Sequence, residues 1–132
     1  MEEIKCNEEA KSTFEKSILV FYTGRTRKAS DLLLKQSNNL AQKEKRSLMG
    51  KMVEMAHQMK GCLEKNNIYS IGNLLHQNWL LKKRITKGVS DQQIDLWYKK
   101  AMDAGALGGK LLGAGHGGFL MFMAEPNKQK KI

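Results

Sequence analysis

Cysteine is scarce in this chain. Cys6 and Cys62 are the only two, with no CxxC spacing and no clustered histidines around them. That scarcity excludes a disulfide framework and a zinc site, and both are read as free thiols. Long apolar runs are missing too: none approaches the roughly 18 residues that span a bilayer, so the sequence reads as a soluble protein. The opening residues Met1-Glu2-Glu3-Ile4 lack the positive-then-apolar order of a secretory signal and the Arg-rich, acid-poor make-up of a transit peptide. Cytoplasm is therefore the expected location, with no membrane partner. Acidic residues are in short supply, with 13 Asp+Glu against 23 Lys+Arg for a net +10. An acidic partner such as nucleic acid, a nucleotide or a phosphorylated metabolite has to be weighed. Nucleic acid ranks last, because the basic residues are scattered among helices and no recognition motif is present. Lys128, Lys130 and Lys131 read as a solvated tail.

What is present is a chain of one-domain size. At 132 residues, 41% of them hydrophobic and 27% charged, it has enough apolar material for a packed core. Residues 17 to 22 form a continuous apolar, β-branched run stopped by Thr23-Gly24, which predicts a buried strand. A helix is predicted after Thr26, with Asp31 in its first turn and an end near Ser37-Asn38-Asn39. From Lys43 to Lys65, Leu48, Met52, Met55, Met59 and Leu63 step by three or four and predict an amphipathic helix. Its methionine stripe is read as core filler rather than a binding groove. Asn66-Asn67 supplies a break, after which Ile68, Ile71, Leu75 and Trp79 continue the helical step to Lys82-Lys83-Arg84. Ser90 and Gln93 have capping-box spacing for a helix over about 91 to 103, closed by Gly105. His57 and His76 lie on predicted helices and are given no catalytic role.

The end of the chain changes character. Two apolar runs, 106 to 112 and 118 to 123, flank a loop in which four of six residues are glycine: Gly113, Ala114, Gly115, His116, Gly117 and Gly118. The pattern predicts a strand pair around a turn, and the element order predicts an α+β fold with helices packed on one side of a mostly antiparallel sheet. A loop so poor in side chains lets successive N–H groups converge on an anion, with Lys110 adding a point charge suited to phosphate. The glycines serve equally as a tight turn with close strand packing. No Gly-Lys-Ser/Thr follows, so this is not a Walker loop.

Residues 105 to 119, Gly-Ala-Leu-Gly-Gly-Lys-Leu-Leu-Gly-Ala-Gly-His-Gly-Gly-Phe, resemble the third conserved motif of the GHMP kinases, the superfamily of galactokinase, homoserine, mevalonate and phosphomevalonate kinases. Tyr22-Thr23-Gly24-Arg25-Thr26-Arg27-Lys28-Ala29 resembles a segment of that family's heptose 7-phosphate kinase branch. The likeness runs from about residue 12 to 126. It implies a ferredoxin-like C-terminal domain with extra helices over 17–126, after a polar lead-in at 1–16 and before a basic tail at 127–132. It also implies that Gly113 to Gly118 border the active site near the transferred phosphate. Thr23, Gly24, Arg27 and Lys110 are candidate substrate-binding residues. Arg27 has the planar fork that suits a sugar phosphate, or it is a structural arginine at a helix start. No catalytic residue or metal ligand is assigned within the chain.

Three departures from the family pattern shape the expectation. His116 stands where the family has glycine, and it either restricts loop closure or adds a donor. The family's ATP-binding Pro-x-x-x-Gly-Leu-Gly-Ser-Ser-Ala loop is absent from the 132 residues, as are the groups that serve as base or magnesium ligands. ATP and Mg²⁺ are thus implied for a complete enzyme with an N-terminal half and a sugar-phosphate acceptor. This chain alone is expected to bind neither tightly and to be inactive. Finally, the family's domain continues past the equivalent of Pro126 with a helix and a strand. An inner strand at 17 to 22 is therefore expected as an exposed edge through which the chain self-associates. The alternative is a stand-alone, non-catalytic phosphate- or nucleotide-binding module.

Overall fold

A computed structural model of the chain describes residues 3–25, 41–113, 115 and 117–132. The polar lead-in contains a helix, α1 (Glu8–Ser17), because its start is well capped: the Asn7 side chain accepts from the Ala10 N–H at 2.7 Å, and Glu8 and Glu9 occupy the first turn. Ala10 is fully buried, and Phe14 packs against the same apolar cluster. The chain passes directly into β1 (Ile18–Tyr22). The helix predicted after Thr26 lies outside the described residues.

Three further helices follow the apolar periodicity. They are α2 (Gln42–Glu64), α3 (Ile68–Ile85) and α4 (Gln92–Asp103). The break between α2 and α3 forms at Asn66, whose φ of 56° is the left-handed conformation that asparagine tolerates. Of the methionine stripe, Met59 packs with Leu63 against a buried cluster, which supports the core reading at that end of α2. The cap of α4 differs from expectation. Asp91, not Ser90, accepts from the Ile94 N–H at 2.9 Å, because the Ser90 hydroxyl donates to Asp95 instead.

The sheet closes with β2 (Gly108–Leu112) and β3 (Phe119–Met123) in the antiparallel order β1-β3-β2. Val20, Met121 and Lys110 stand in register across it, as do Phe21, Leu120 and Leu111. Central β3 is apolar at all five positions, the pattern of a strand covered on both faces. Leu120 and Phe122 join Leu111 and the α4 residues Ile94, Tyr98 and Ala101 in one cluster. Met123, on the opposite face, joins Ile68, Ile71 and Leu75 of α3 and Ala10 of α1 in another. Helical residues thus meet both faces, not the single side expected.

Two glycines set how closely α3 approaches the sheet. A Cβ on Gly108 would lie 1.8 Å from the Gly72 carbonyl oxygen, so helix and strand touch backbone to backbone. At the end of the chain Gln129 donates to the Lys16 and Ala124 carbonyls, and Ile132 packs against the Phe122 cluster. Lys128, Lys130 and Lys131 remain exposed around this short 3-10 turn (Gln129–Lys131). Among the described residues no helix is long and apolar enough to cross a membrane.

Candidate functional site

The glycine loop joins β2 to β3, and the structure separates the reasons for its glycines. A Cβ on Gly115 would sit 2.7 Å from Val89 Cγ2, and one on Gly117 would sit 2.4 Å from the Arg25 carbonyl oxygen. Both are needed for packing. Gly113 is different: its φ of +91° requires glycine-like freedom, yet among the described residues nothing lies within 4 Å of where its Cβ would be. Close packing therefore accounts for the far side of the loop, and an open side remains at Gly113.

The segment after β1 is stitched to this loop. The Thr23 N–H and Oγ1 both donate to the Gly118 carbonyl at 2.9 Å, and the Gly118 N–H donates to the Arg25 carbonyl at 2.8 Å. Arg25 in turn pairs with Asp91, the cap of α4. The structure thus brings Thr23 and Gly24 together with Gly117 and Gly118. The Thr23 hydroxyl is committed to holding the loop. Gly24, at φ +70°, faces open space. Arg27, Ala114 and His116 lie outside the described residues.

Beside this junction is an apolar cavity of about 460 Å³. Phe21, Leu120 and Phe122 form its floor, Trp97 and Ala101 one wall, and Tyr22, Thr23 and Gly24 the end nearest the loop, with Lys100 the one charged lining group among the described residues. Lys110 does not share that face. It alternates with Leu111, stands beside Met121 in the register and is half-buried. Burial, and then the charge of Lys82, push its pKa below the usual lysine value. Lys82 is the residue that sequence reasoning missed as a neighbour of this region. Its only signal was a basic helix end, which the helix dipole explains by itself.

His76 is half-buried and hydrogen-bonded. Its Nδ1 lies 2.9 Å from the Tyr98 hydroxyl, which donates to the Gly109 carbonyl at 3.1 Å. Burial pushes the Tyr98 hydroxyl up to about 12. Among the described residues no group of three or more His, Cys, Asp and Glu is placed to hold a metal ion.

A glycine-rich turn in an antiparallel sheet, tied to the segment that follows β1 and backed by helices, is the arrangement of a small-molecule kinase's C-terminal domain. The family described as GHMP kinases C terminal matches residues 59–132, over half of the chain, and the chain belongs to that family. It is 31% identical over 121 residues to the D-glycero-alpha-D-manno-heptose 7-phosphate kinase of Campylobacter jejuni, covering 92% of this chain and 36% of that protein. It is 27% identical over 143 residues to the galactokinase of Pyrococcus furiosus, covering 88% and 40%. The solved L. major mevalonate kinase in complex with R-mevalonate shares the fold, with a TM-score of 0.69 at 21% identity, over 86% of this chain and 35% of that one. The chain therefore spans little more than a third of the curated relatives named here.

Proposed function

We propose that this chain supplies the C-terminal portion of an ATP-dependent cytoplasmic kinase that phosphorylates a hydroxyl of a sugar phosphate, with heptose 7-phosphate as the acceptor to test first. The observation that carries this reading is the convergence of two motifs. The segment that resembles the heptose kinase branch and the glycine motif of the wider family lie 95 residues apart at Thr23 and Gly118, and they meet through shared hydrogen bonds. The 31% identity to the heptose 7-phosphate kinase supports the choice of acceptor.

In this reading the open side of the loop at Gly113 presents backbone to the phosphates, where unencumbered N–H groups stabilise negative charge. Gly24 and Arg27 contribute on the acceptor side. Magnesium and the nucleotide are assigned to an N-terminal portion, because the family's Gly-Leu-Gly-Ser-Ser loop does not occur in these 132 residues. Phosphoryl transfer depends on holding donor, acceptor and metal together, so the chain by itself does not turn over. The domain takes in α1 and the tail as well as residues 17–126, since Ala10 and Ile132 pack against its two clusters. Its β1 edge, unpaired on its outer side among the described residues, is where a second copy associates. The test is to replace the corresponding portion of the Campylobacter jejuni kinase with this chain and measure ATP-dependent phosphorylation of heptose 7-phosphate.

A further inference from the structure

Lys82 and Lys110 come together because α3 is laid against β2. The contact of Gly108 with Gly72 fixes one point of approach, and His76 Cβ, 3.0 Å from the Cβ position of Gly108, fixes a second. From there α3 advances six residues to Lys82, roughly 9 Å, and β2 advances two residues to Lys110, roughly 7 Å. Both run toward the glycine loop, since Val89, just beyond the end of α3, touches Gly115. The two residues therefore stand at the loop end of the sheet, near enough for the charge of Lys82 to act on Lys110.

Among the described residues neither lysine is paired with a carboxylate. Its helix neighbours are neutralised, Lys83 by Asp95 at 2.9 Å and Arg84 by Glu44 at 3.4 Å. Among the described residues Lys82 and Lys110 form no ion pair. Lys110 is moreover half-buried, and its ammonium group is disfavoured by that burial and by Lys82. Two like charges gathered where water is partly excluded repel each other. A doubly charged anion between them removes both penalties, and an ammonium group is suited to phosphate as a point charge.

We propose that Lys82 and Lys110 form a two-cation site for a phosphomonoester dianion, the phosphate already carried by the sugar acceptor. The site rests on the kinase reading only for the source of that phosphate. Its test uses the full chain, titrated with inorganic phosphate at constant ionic strength and neutral pH, with binding followed by calorimetry. The expected result is saturable binding to the native chain that weakens at least threefold in both Lys82→Gln and Lys110→Gln. Lys99→Gln, which removes an exposed lysine paired with Asp103, serves as the control and leaves binding unchanged. Thermal melting confirms that each variant folds, and Lys82→Gln, on the helix surface, carries the test if Lys110→Gln does not. No saturable binding by the native chain, or a change under threefold in a folded lysine variant, overturns the site. Displacement of phosphate by a sugar monophosphate at lower concentration than by ATP supports the acceptor as its source; the reverse order overturns it. An active chimera whose phosphate binding ignores Lys82 removes this site alone. Lysine-dependent binding with an inactive chimera removes the kinase reading alone.

Discussion

Thr23 and Gly118 hold one end of the glycine loop: the threonine N–H and hydroxyl both donate to the glycine carbonyl at 2.9 Å. With Gly115 against Val89 and Gly117 against Arg25, that end of the loop is fixed by packing, and Gly113 marks the open one. Substitution at Gly115 therefore confounds packing with ligand approach, whereas Gly113→Ala separates them. The alanine costs about 1–2 kcal/mol of stability through its positive φ. If the open side faces phosphate, turnover of the chimeric kinase falls by more than tenfold at a temperature where the variant is still folded. Unchanged turnover in steady-state assays would show that the loop's open side has no part in the reaction.

Gly108 and Gly72 give a contrast in glycine substitutions. Gly108→Ala drives a methyl into the Gly72 carbonyl and separates α3 from β2, with an expected loss of about 3 kcal/mol or more. Gly50 lies within α2 with nothing within 4 Å of its Cβ position, so Gly50→Ala adds up to about 1 kcal/mol by removing unfolded-chain freedom. Urea denaturation of both variants checks the pair. A tolerated Gly108→Ala contradicts the backbone contact.

Tyr98 makes stability depend on alkaline pH. Its hydroxyl ionises near 12 in the folded chain and near 10 when unfolded. The neutral form is favoured by folding, so its contribution is complete below pH 10 and is lost as pH rises from 10 to 12. The loss reaches roughly 3 kcal/mol at most, since each unit between the two pKa values contributes a little over 1 kcal/mol. Stability measured at pH 9 and pH 11.5 should fall more steeply in the native chain than in Tyr98→Phe. Equal slopes would mean that the Tyr98 hydroxyl reaches water.

The β1 edge predicts association. Ile18–Tyr22 carries no charged residue, Val20 and Tyr22 are 52% and 59% exposed, and Phe119 beside Tyr22 is 46% exposed. Edge strands of this kind pair unless a charge interrupts them. Sedimentation velocity should show concentration-dependent association that strengthens with salt, as the net +10 is screened, and that Val20→Lys abolishes. A single monomer boundary at high concentration and high salt contradicts it.

Much of this architecture is readable from residues alone. The helices α3 and α4 follow buried stripes through Ile71, Trp79 and Ile94, and α2 follows Leu48 and the half-buried Met52, Met55, Met59 and Leu63. The strands β1 and β3 are short apolar runs, but β1, predicted as buried, is exposed at Val20, Phe21 and Tyr22 because it is an edge of the sheet. The helix α1 was hidden because its buried face is mostly Ala10 and Phe14 amid polar residues, too little for a periodic signal. The site was legible as a loop but not as a junction. That Thr23 anchors Gly118, and that Lys110 faces Lys82 rather than the cavity at Tyr22, follow from strand pairing between distant segments and from which face each strand residue takes.

The central claim is that this chain completes a sugar-phosphate kinase, and the chimera with the N-terminal portion of the Campylobacter jejuni enzyme tests it most directly. With ATP, Mg²⁺ and heptose 7-phosphate supplied, the claim predicts formation of sugar bisphosphate and ADP in equal amounts by the chimera, and none by the 132-residue chain alone. A folded chimera without turnover, beside an active parent enzyme assayed in parallel, would contradict it.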